Sequence, residues 1–544
     1  MKLKLSIKPE FANKIFEGTK KFEFRKSIFK KQVSAVVVYA SAPLQQVIGE
    51  FEIEQILHLD LETLWDITHL NSGISKSFFY EYFGMIMKRK FDELLDADLQ
   101  KINHISANKH YVGFSKKFNK VQPIIGFVIL LLMVLFAYKL HTPKLIFGLL
   151  AGLGFGYTLT RSRFGFAGGI KRIYVRGEGS LTKALLISFA AITLIYGAIQ
   201  WTASTKGALP AFLAKNGEAI IPGTQNVFMT NIGTVIGGFV FGIGMIIAGG
   251  CASGTLADFG EGEGHALIAF PFFILGTIPG HFLREVIDRN PIGKVGVRGH
   301  LPQYFGYFGA IVVTLLGLLL LYILTKKYEN KRKQEGTYLN PESDYEDFEK
   351  ELSDNLDVKP WGWALYHKIF VERWSFKTGA FILAIISGCY LIFNNKAWGV
   401  TSAFTHIAVW FLGLFGIHFN DKAFDSVYKA ISHGILADAG VILDIGIVVG
   451  SFLAFLLAGR FKLSLQFNST NAMLFGLGGL FMGFGSRLAK GCNIGALYSS
   501  LPNFSISGWV FLVAISLGAV AGLKLFKGKS CLIPPRHRDR KDFK

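Results

Sequence analysis

From Val121 onward the chain is a succession of apolar stretches about as long as a bilayer is thick. They lie at about 121–140, 144–166, 181–201, 230–250, 266–283 and 304–325, and then at about 376–394, 399–417, 437–458, 470–489 and 507–525. A helix needs about 20 apolar residues to cross the hydrocarbon core, and a spanning backbone must satisfy its own hydrogen bonds. These roughly eleven windows therefore predict a polytopic α-helical membrane protein. Composition agrees: 51% hydrophobic side chains and only 18% charged ones exclude a disordered chain and disfavour a soluble enzyme. The 61 glycines, with no Gly-X-Y period, point to closely packed membrane helices.

The first 115 residues differ, with charges every few positions and no run long enough to span. Ser34–Tyr39 and Val47–Glu54 read as strands, the second alternating apolar and acidic, and Pro9–Gly18 reads as a short helix. A small soluble α+β domain is expected. Met1–Lys8 alternates lysine with apolar residues rather than forming the apolar core of a signal peptide, so this domain is expected in the cytosol.

The rest divides into a first membrane half at 116–325, a charged cytoplasmic linker at 326–375, a second membrane half at 376–527 and a basic tail at 528–544. Net charge is +20, and in a membrane protein such an excess marks cytoplasmic flanks. Lysine and arginine cluster at Lys116, Lys117 and Lys120, at Lys171, Arg172 and Arg176, at Lys326–Lys333 and after Lys524. The expected placement is a multi-pass inner or plasma membrane protein with both termini cytoplasmic. Arg284, Arg289, Lys294 and Arg298 do not fit a simple up-and-down path, so some segments are expected to be broken or re-entrant.

An internal repeat carries the strongest functional signal. Gly237–Leu256 aligns without gaps on Gly478–Leu497, and nine positions match, among them Gly250/Gly491, Cys251/Cys492 and Gly254/Gly495. The sole cysteine of each window is one of the matches. Duplicated halves with glycine-interrupted apolar segments mark the substrate site of many transporters. The glycines let the backbone bend and expose amide N–H groups, a half-helix start presents a positive dipole end, and a thiol adds a weak donor with a soft surface. Cys251 and Cys492, with Asn493 beside the second, are the candidate path residues for a sulfur-bearing anion. The plainer alternative is that both thiols are small packing groups. Four cysteines without CxxC spacing indicate neither zinc nor a disulfide framework, and no cofactor is expected. The Gly260–Gly264 run lacks the Lys-Ser/Thr of a phosphate loop. Arg161 and Arg163 read as cytoplasmic flanks or as anion-attracting groups at a pore mouth, and His265, His406 and His433 as packing groups or proton relays.

Gly249–Leu256 with Gly260-Glu-Gly262, and Arg487–Ala496 followed by Ser507-Gly-Trp509, resemble the YeeE/YedE family of sulfur-compound transporters. The resemblance covers about 121–527. It implies an hourglass-shaped membrane protein with two inverted halves, in which path cysteines pass thiosulfate inward through S–H···S hydrogen bonds. It implies no enzymatic activity, and it brings with it a cytosolic sulfur-carrier protein as a possible partner. One position departs: Arg161-Ser-Arg-Phe-Gly-Phe166 carries Gly165 where the family pattern has a third cysteine. A carrier of selenium compounds or other small anions is the alternative within transport.

Leu5–Glu10 and Ile15–Lys26 resemble an ASCH domain, a small PUA-like β-barrel associated with RNA or modified nucleosides. The resemblance implies ligand binding by Lys20, Lys21, Glu23 and Arg25, against the reading of these charges as a solvated face. Glu23 occupies the place of a threonine that amidohydrolases of this group require. A third functional reading follows, in which the chain is a membrane-anchored RNA or nucleotide sensor.

Overall fold

The computed structural model describes residues 121–338, 362–465 and 468–526, Glu349, and within the first 79 residues mainly 2–7, 9–22, 35–40, 46–52 and 61–69. The chain forms two compact units, Met1–Val112 and Gly113–Lys544.

In the first unit β1 (Lys2–Ile7) is followed by α1 (Pro9–Phe16), β2 (Ala35–Ala40), β3 (Gln46–Glu52) and α2 (Leu61–Thr68). The strands form one sheet in sequence order, β1 parallel to β2 with Leu5 opposite Val38, and β2 antiparallel to β3 with Val38 opposite Gly49. Alternation sends Ile7 and Val38 to one face, where they bury with Ala12 of α1. The strands and α1 lie where the sequence periodicity puts them, within one or two residues, whereas α2 was not foreseen. The rest of the expected barrel lies outside the described residues.

The second unit is helical. Its first half contains α3 (Val121–Lys139), α4 (Pro143–Arg161), α5 (Phe166–Arg176), α6 (Ser180–Thr205), α7 (Ile232–Ala248), α8 (Ala252–Gly260), α9 (Gly264–Arg289) and α10 (Pro302–Gln334). The second contains α11 (Phe376–Asn394), α12 (Thr401–Leu414), α13 (Ala439–Leu457), α14 (Ser469–Leu488), a π-helical turn at Asn493–Tyr498 and α15 (Ile506–Leu525). Each of the eleven apolar windows holds a helix. Among the described residues nine spans are long and apolar enough to cross a membrane, at the lower end of the expected number. α12 has only 14 residues. α4 is not among the nine, and it carries several glycines between its terminal Lys144 and Arg161. α10 also runs past Lys326 to Gln334, where the linker is expected, and Glu329 near its end pairs with Lys183 at 2.8 Å and Lys333 at 3.0 Å.

The halves interlock, and their contacts exchange when one half is read for the other. α7 packs on α14, α9 packs on α14 as α15 packs on α7, and α4 packs on α13 as α6 packs on α11. Glycine makes this possible. A Cβ built on Gly152 would lie 2.3 Å from the Leu443 carbonyl oxygen, and one on Gly450 would lie 2.2 Å from that of Leu153. α4 and α13 thus meet backbone to backbone through two Gly-xxx-Gly pairs, Gly152/Gly156 and Gly446/Gly450. In a bilayer, where lipid is as apolar as leucine, close van der Waals approach drives such contacts. The spacing extends the repeat beyond the matched window: Gly276 lies against Leu480 as Gly518 lies against Phe239.

Candidate functional site

The two matched segments cross at the centre of the unit. Near the start of α7, Gly237 faces Gly485 and Ala489 near the end of α14, while Gly244 faces Gly478 and Met482. The crossing is therefore antiparallel, as expected of inverted copies.

Each central helix ends in a left-handed residue followed by Gly-Cys. Gly249 has φ 88°, and its counterpart Lys490 has φ 63°. The second copy thus makes the glycine-favouring turn with a lysine, whose amine is held by Asp288 at 2.5 Å. Cys251 then N-caps α8 at φ −88°, ψ −178°, and Cys492 caps the Asn493–Tyr498 turn at φ −98°, ψ −162°. The Thr255 amide donates to the Cys251 carbonyl at 2.7 Å, as the Ala496 amide does to that of Cys492 at 2.8 Å. Both thiols are buried, and both are free. Cys251 Sγ lies 3.6 Å from Ser253 Oγ, and Cys492 Sγ accepts from the Ile494 amide at 3.4 Å. α8 and the Asn493–Tyr498 turn touch each other, so the two cysteine-headed segments share one region.

The glycines of the motif have unequal roles. A Cβ on Gly491 would lie 2.4 Å from the Ala496 amide nitrogen, so that position must stay bare. Gly250 has ordinary clearance, Gly254 lies under the Cys251 sulfur, and Gly495 faces open space. Asn493 is buried, donates to Met245 Sδ at 3.9 Å, and leaves its Oδ1 without a partner. Gly165 is a third N-cap, at the start of α5, with φ −102°, ψ 124° and nothing within 4 Å of a built Cβ. The next residue, Phe166, packs edge-on against Tyr498 at 5.3 Å.

Around the Cys492 turn lies a layer centred on Tyr498, a residue that sequence reasoning missed. Tyr498 Oη is 2.8 Å from Ser188 Oγ, its ring meets Phe189 and Trp398, and Trp398 stacks on Phe155 at 3.8 Å. Tyr498 falls just past the matched window, so the repeat alone gave no signal for it.

Several singled-out charges turn out to brace the fold. Buried Arg161 donates to the Phe370 and Val371 carbonyls at 2.9 and 2.7 Å, and Arg163 pairs with buried Glu349. Arg161 is thus buried against main chain rather than an exposed flank. Arg284 pairs with Asp288 at 3.0 Å and donates to the Leu488 carbonyl at 2.9 Å, and Arg487 lies 3.2 Å from His281. His265 pairs with Asp258 at 3.2 Å and His406 with Asp438 at 3.1 Å, whereas His433 is exposed. Burial raises the proton affinity of Glu349, but Arg163, Arg373 and Arg161 together outweigh it and hold the carboxyl below its ordinary range. No group of three His, Cys, Asp or Glu side chains suited to a metal occurs among the described residues.

In the first unit Lys20 is buried, donates to the Phe22 carbonyl and lies 5.1 Å from the Phe24 ring centre. That corrects the solvated-face reading for Lys20, whereas Lys21 is exposed. Glu23 and Arg25 lie outside the described residues.

Residues 161–521 match a family described as sulphur transport. A protein named thiosulfate transporter TsuA from Escherichia coli is 24% identical over 68% of this chain and 91% of its own length. The protein of the same name from Spirochaeta thermophila is 26% identical over 68% of this chain and 96% of its own. At the N-terminus, an ASCH domain-containing ribonuclease from Zymomonas mobilis is 32% identical over 19% of this chain and 75% of its own length.

Proposed function

Because the chain belongs to the sulphur transport family, we propose that this multi-pass membrane protein imports thiosulfate or a related sulfur-containing anion along a path between Cys251 and Cys492. The observation that carries this reading is the matched geometry of the two thiols. Each caps a segment that begins at a broken, antiparallel central helix, and the two segments touch. The chemistry suits an anion with a terminal sulfur. Thiols are weak donors that cost little to dehydrate, and the N-terminal amides of α8 add a positive dipole end. Gly491 keeps the backbone close, Gly250, Gly254 and Gly495 leave room beside the thiols, and Asn493 supplies an amide with spare hydrogen-bonding capacity. The named substrate of the TsuA relatives supports thiosulfate as the first anion to test.

The test is uptake of radiolabelled thiosulfate into proteoliposomes of the full chain. Accumulation above empty vesicles, competed by unlabelled thiosulfate, is the expected result. Absence of uptake overturns the reading. The missing thiol at Gly165 favours a second reading, a carrier of selenium compounds or another small anion, and selenite as competitor in the same vesicles separates the two.

For the N-terminal unit we propose RNA or nucleotide binding on the cytosolic side, supported by the ASCH relative and the exposed Lys21, with Lys20 anchoring the turn. On this reading a cytosolic sulfur-carrier protein would receive the imported sulfur.

A further inference from the structure

α13 is one of the most apolar spans of the protein, yet it carries a carboxylate in its second turn. Asp444 is 3% exposed, and neither carboxyl oxygen has a hydrogen-bond partner. An ionised, unpaired carboxylate is among the costliest groups to bury in a membrane. A bound proton removes that cost.

The groups around Asp444 explain why it is not simply neutralised by a cation. α4 crosses α13 at this level through Gly148–Gly152, which offers no titratable side chain. α12 brings His406, which is taken up by Asp438, the N-cap of α13. α8 brings Asp258, which is held by His265. α3 ends at Lys139 beside the first turn of α13, and the His367–Val371 segment packs at the far end. Asp444 lies within electrostatic reach of Asp438, the Tyr390 phenol and the Cys492 thiol. α8, which packs on α13, also touches the Cys492 turn, and among the described residues no cation pairs with the carboxyl.

We propose that Asp444 is the proton-binding site of the transporter, taking up a proton with each inward-moving anion and releasing it to the cytosol. The inference rests on the transport reading above. An anion arriving at Cys492 repels an ionised Asp444 and favours its protonated form, and by linkage the protonated form favours the anion. Proton and anion therefore load together and leave together. An inward proton gradient then drives the anion against its own gradient, without any nucleotide-hydrolysing motif.

The experiment compares the full chain with Asp444→Asn in proteoliposomes containing a pH-sensitive dye. Radiolabelled thiosulfate uptake is measured with and without an acidic exterior, and thiosulfate exchange is measured at equal pH. Wild-type uptake is expected to rise several-fold with the inward proton gradient, with acidification of the lumen in step with uptake. Asp444→Asn is expected to keep exchange at equal pH and to lose both the gradient response and the acidification. Wild-type uptake that ignores the gradient overturns the proposal whatever the variant does, and so does a variant that keeps the gradient response. Wild-type vesicles that neither accumulate nor exchange thiosulfate overturn the transport reading itself, a distinguishable failure. Should Asp444→Asn not fold, Asp444→Glu keeps the acid and is expected to keep the gradient response with an altered pH midpoint; its loss refutes the assignment.

Discussion

Gly237 and Gly485 face each other reciprocally: a Cβ on Gly237 would lie 2.7 Å from the Gly485 carbonyl oxygen, and one on Gly485 would lie 2.6 Å from that of Gly237. Two residues from different halves thus define the crossing that brings the cysteine turns together. Each backbone occupies the space that the other's side chain would need.

Substitution at this crossing is expected to be severe. Gly237→Val and Gly485→Val both put methyl groups against main chain that cannot rotate away, and overpacking of this kind costs about 1–3 kcal/mol or more. Loss of a monodisperse peak in detergent and a lowered unfolding temperature are the readouts. Gly495→Ala, which meets open space, serves as the tolerated control. Equal behaviour of the three variants would show that the crossing is looser than described.

Replacing the thiols separates packing from transport. Cys251→Ala and Cys492→Ala each remove a buried sulfur at a cost of about 1 kcal/mol, a small effect on folding. Expression and thermal stability are expected to stay near wild type, while thiosulfate uptake falls for each and to background for the pair. Wild-type rates in the double variant would reduce the cysteines to packing groups.

Gly165→Cys is expected to fold. The φ of −102° suits any side chain, and the built Cβ meets nothing within 4 Å. The new thiol would cap α5 as Cys251 caps α8, and uptake is expected to hold or increase. Failure of this variant to fold would contradict the open space at that position.

Glu349 gives a pH signature. Its carboxyl is held below the ordinary glutamate range, so its stabilising contribution is complete above that range and is lost as pH falls through the folded-state value. Glu349→Gln is expected to cost about 1–3 kcal/mol at neutral pH, because it weakens the hydrogen bonding of the partly buried Arg163. Thermal unfolding in detergent at pH 7 and at pH 3 checks this, with the wild-type advantage shrinking at the lower pH. An advantage independent of pH would remove Glu349 from the ion pair.

A chain beginning near Lys116 is expected to insert and import thiosulfate, since Met1–Val112 forms its own compact unit. RNA binding by residues 1–112 alone is expected to weaken steeply with added salt. Gel shifts at two salt concentrations test the second statement, and RNA cleavage in the same samples would mark the domain as catalytic. An inserted but inactive truncation would make the domain part of the transport cycle.

The sequence alone determined the membrane class, the two halves and the place of the cysteine turns. Hydropathy and glycine spacing are local properties, and a duplicated segment is visible without folding. Gly-xxx-Gly at 152/156 and 446/450 likewise announces close helix contact, although not with which partner. Tertiary structure decided what depends on residues distant in sequence. It joined Gly237 to Gly485, turned Arg161 into a brace for residues 370–371, gave Lys490 a partner in Asp288 and set Tyr498 beside Ser188. It also buried Asp444 without a counter-charge among the described residues. A lone aspartate in an apolar run can be read from the sequence, but whether a cation faces it depends on which helices pack around α13. That packing follows from backbone approach at glycines far apart along the chain, a relation no local pattern encodes.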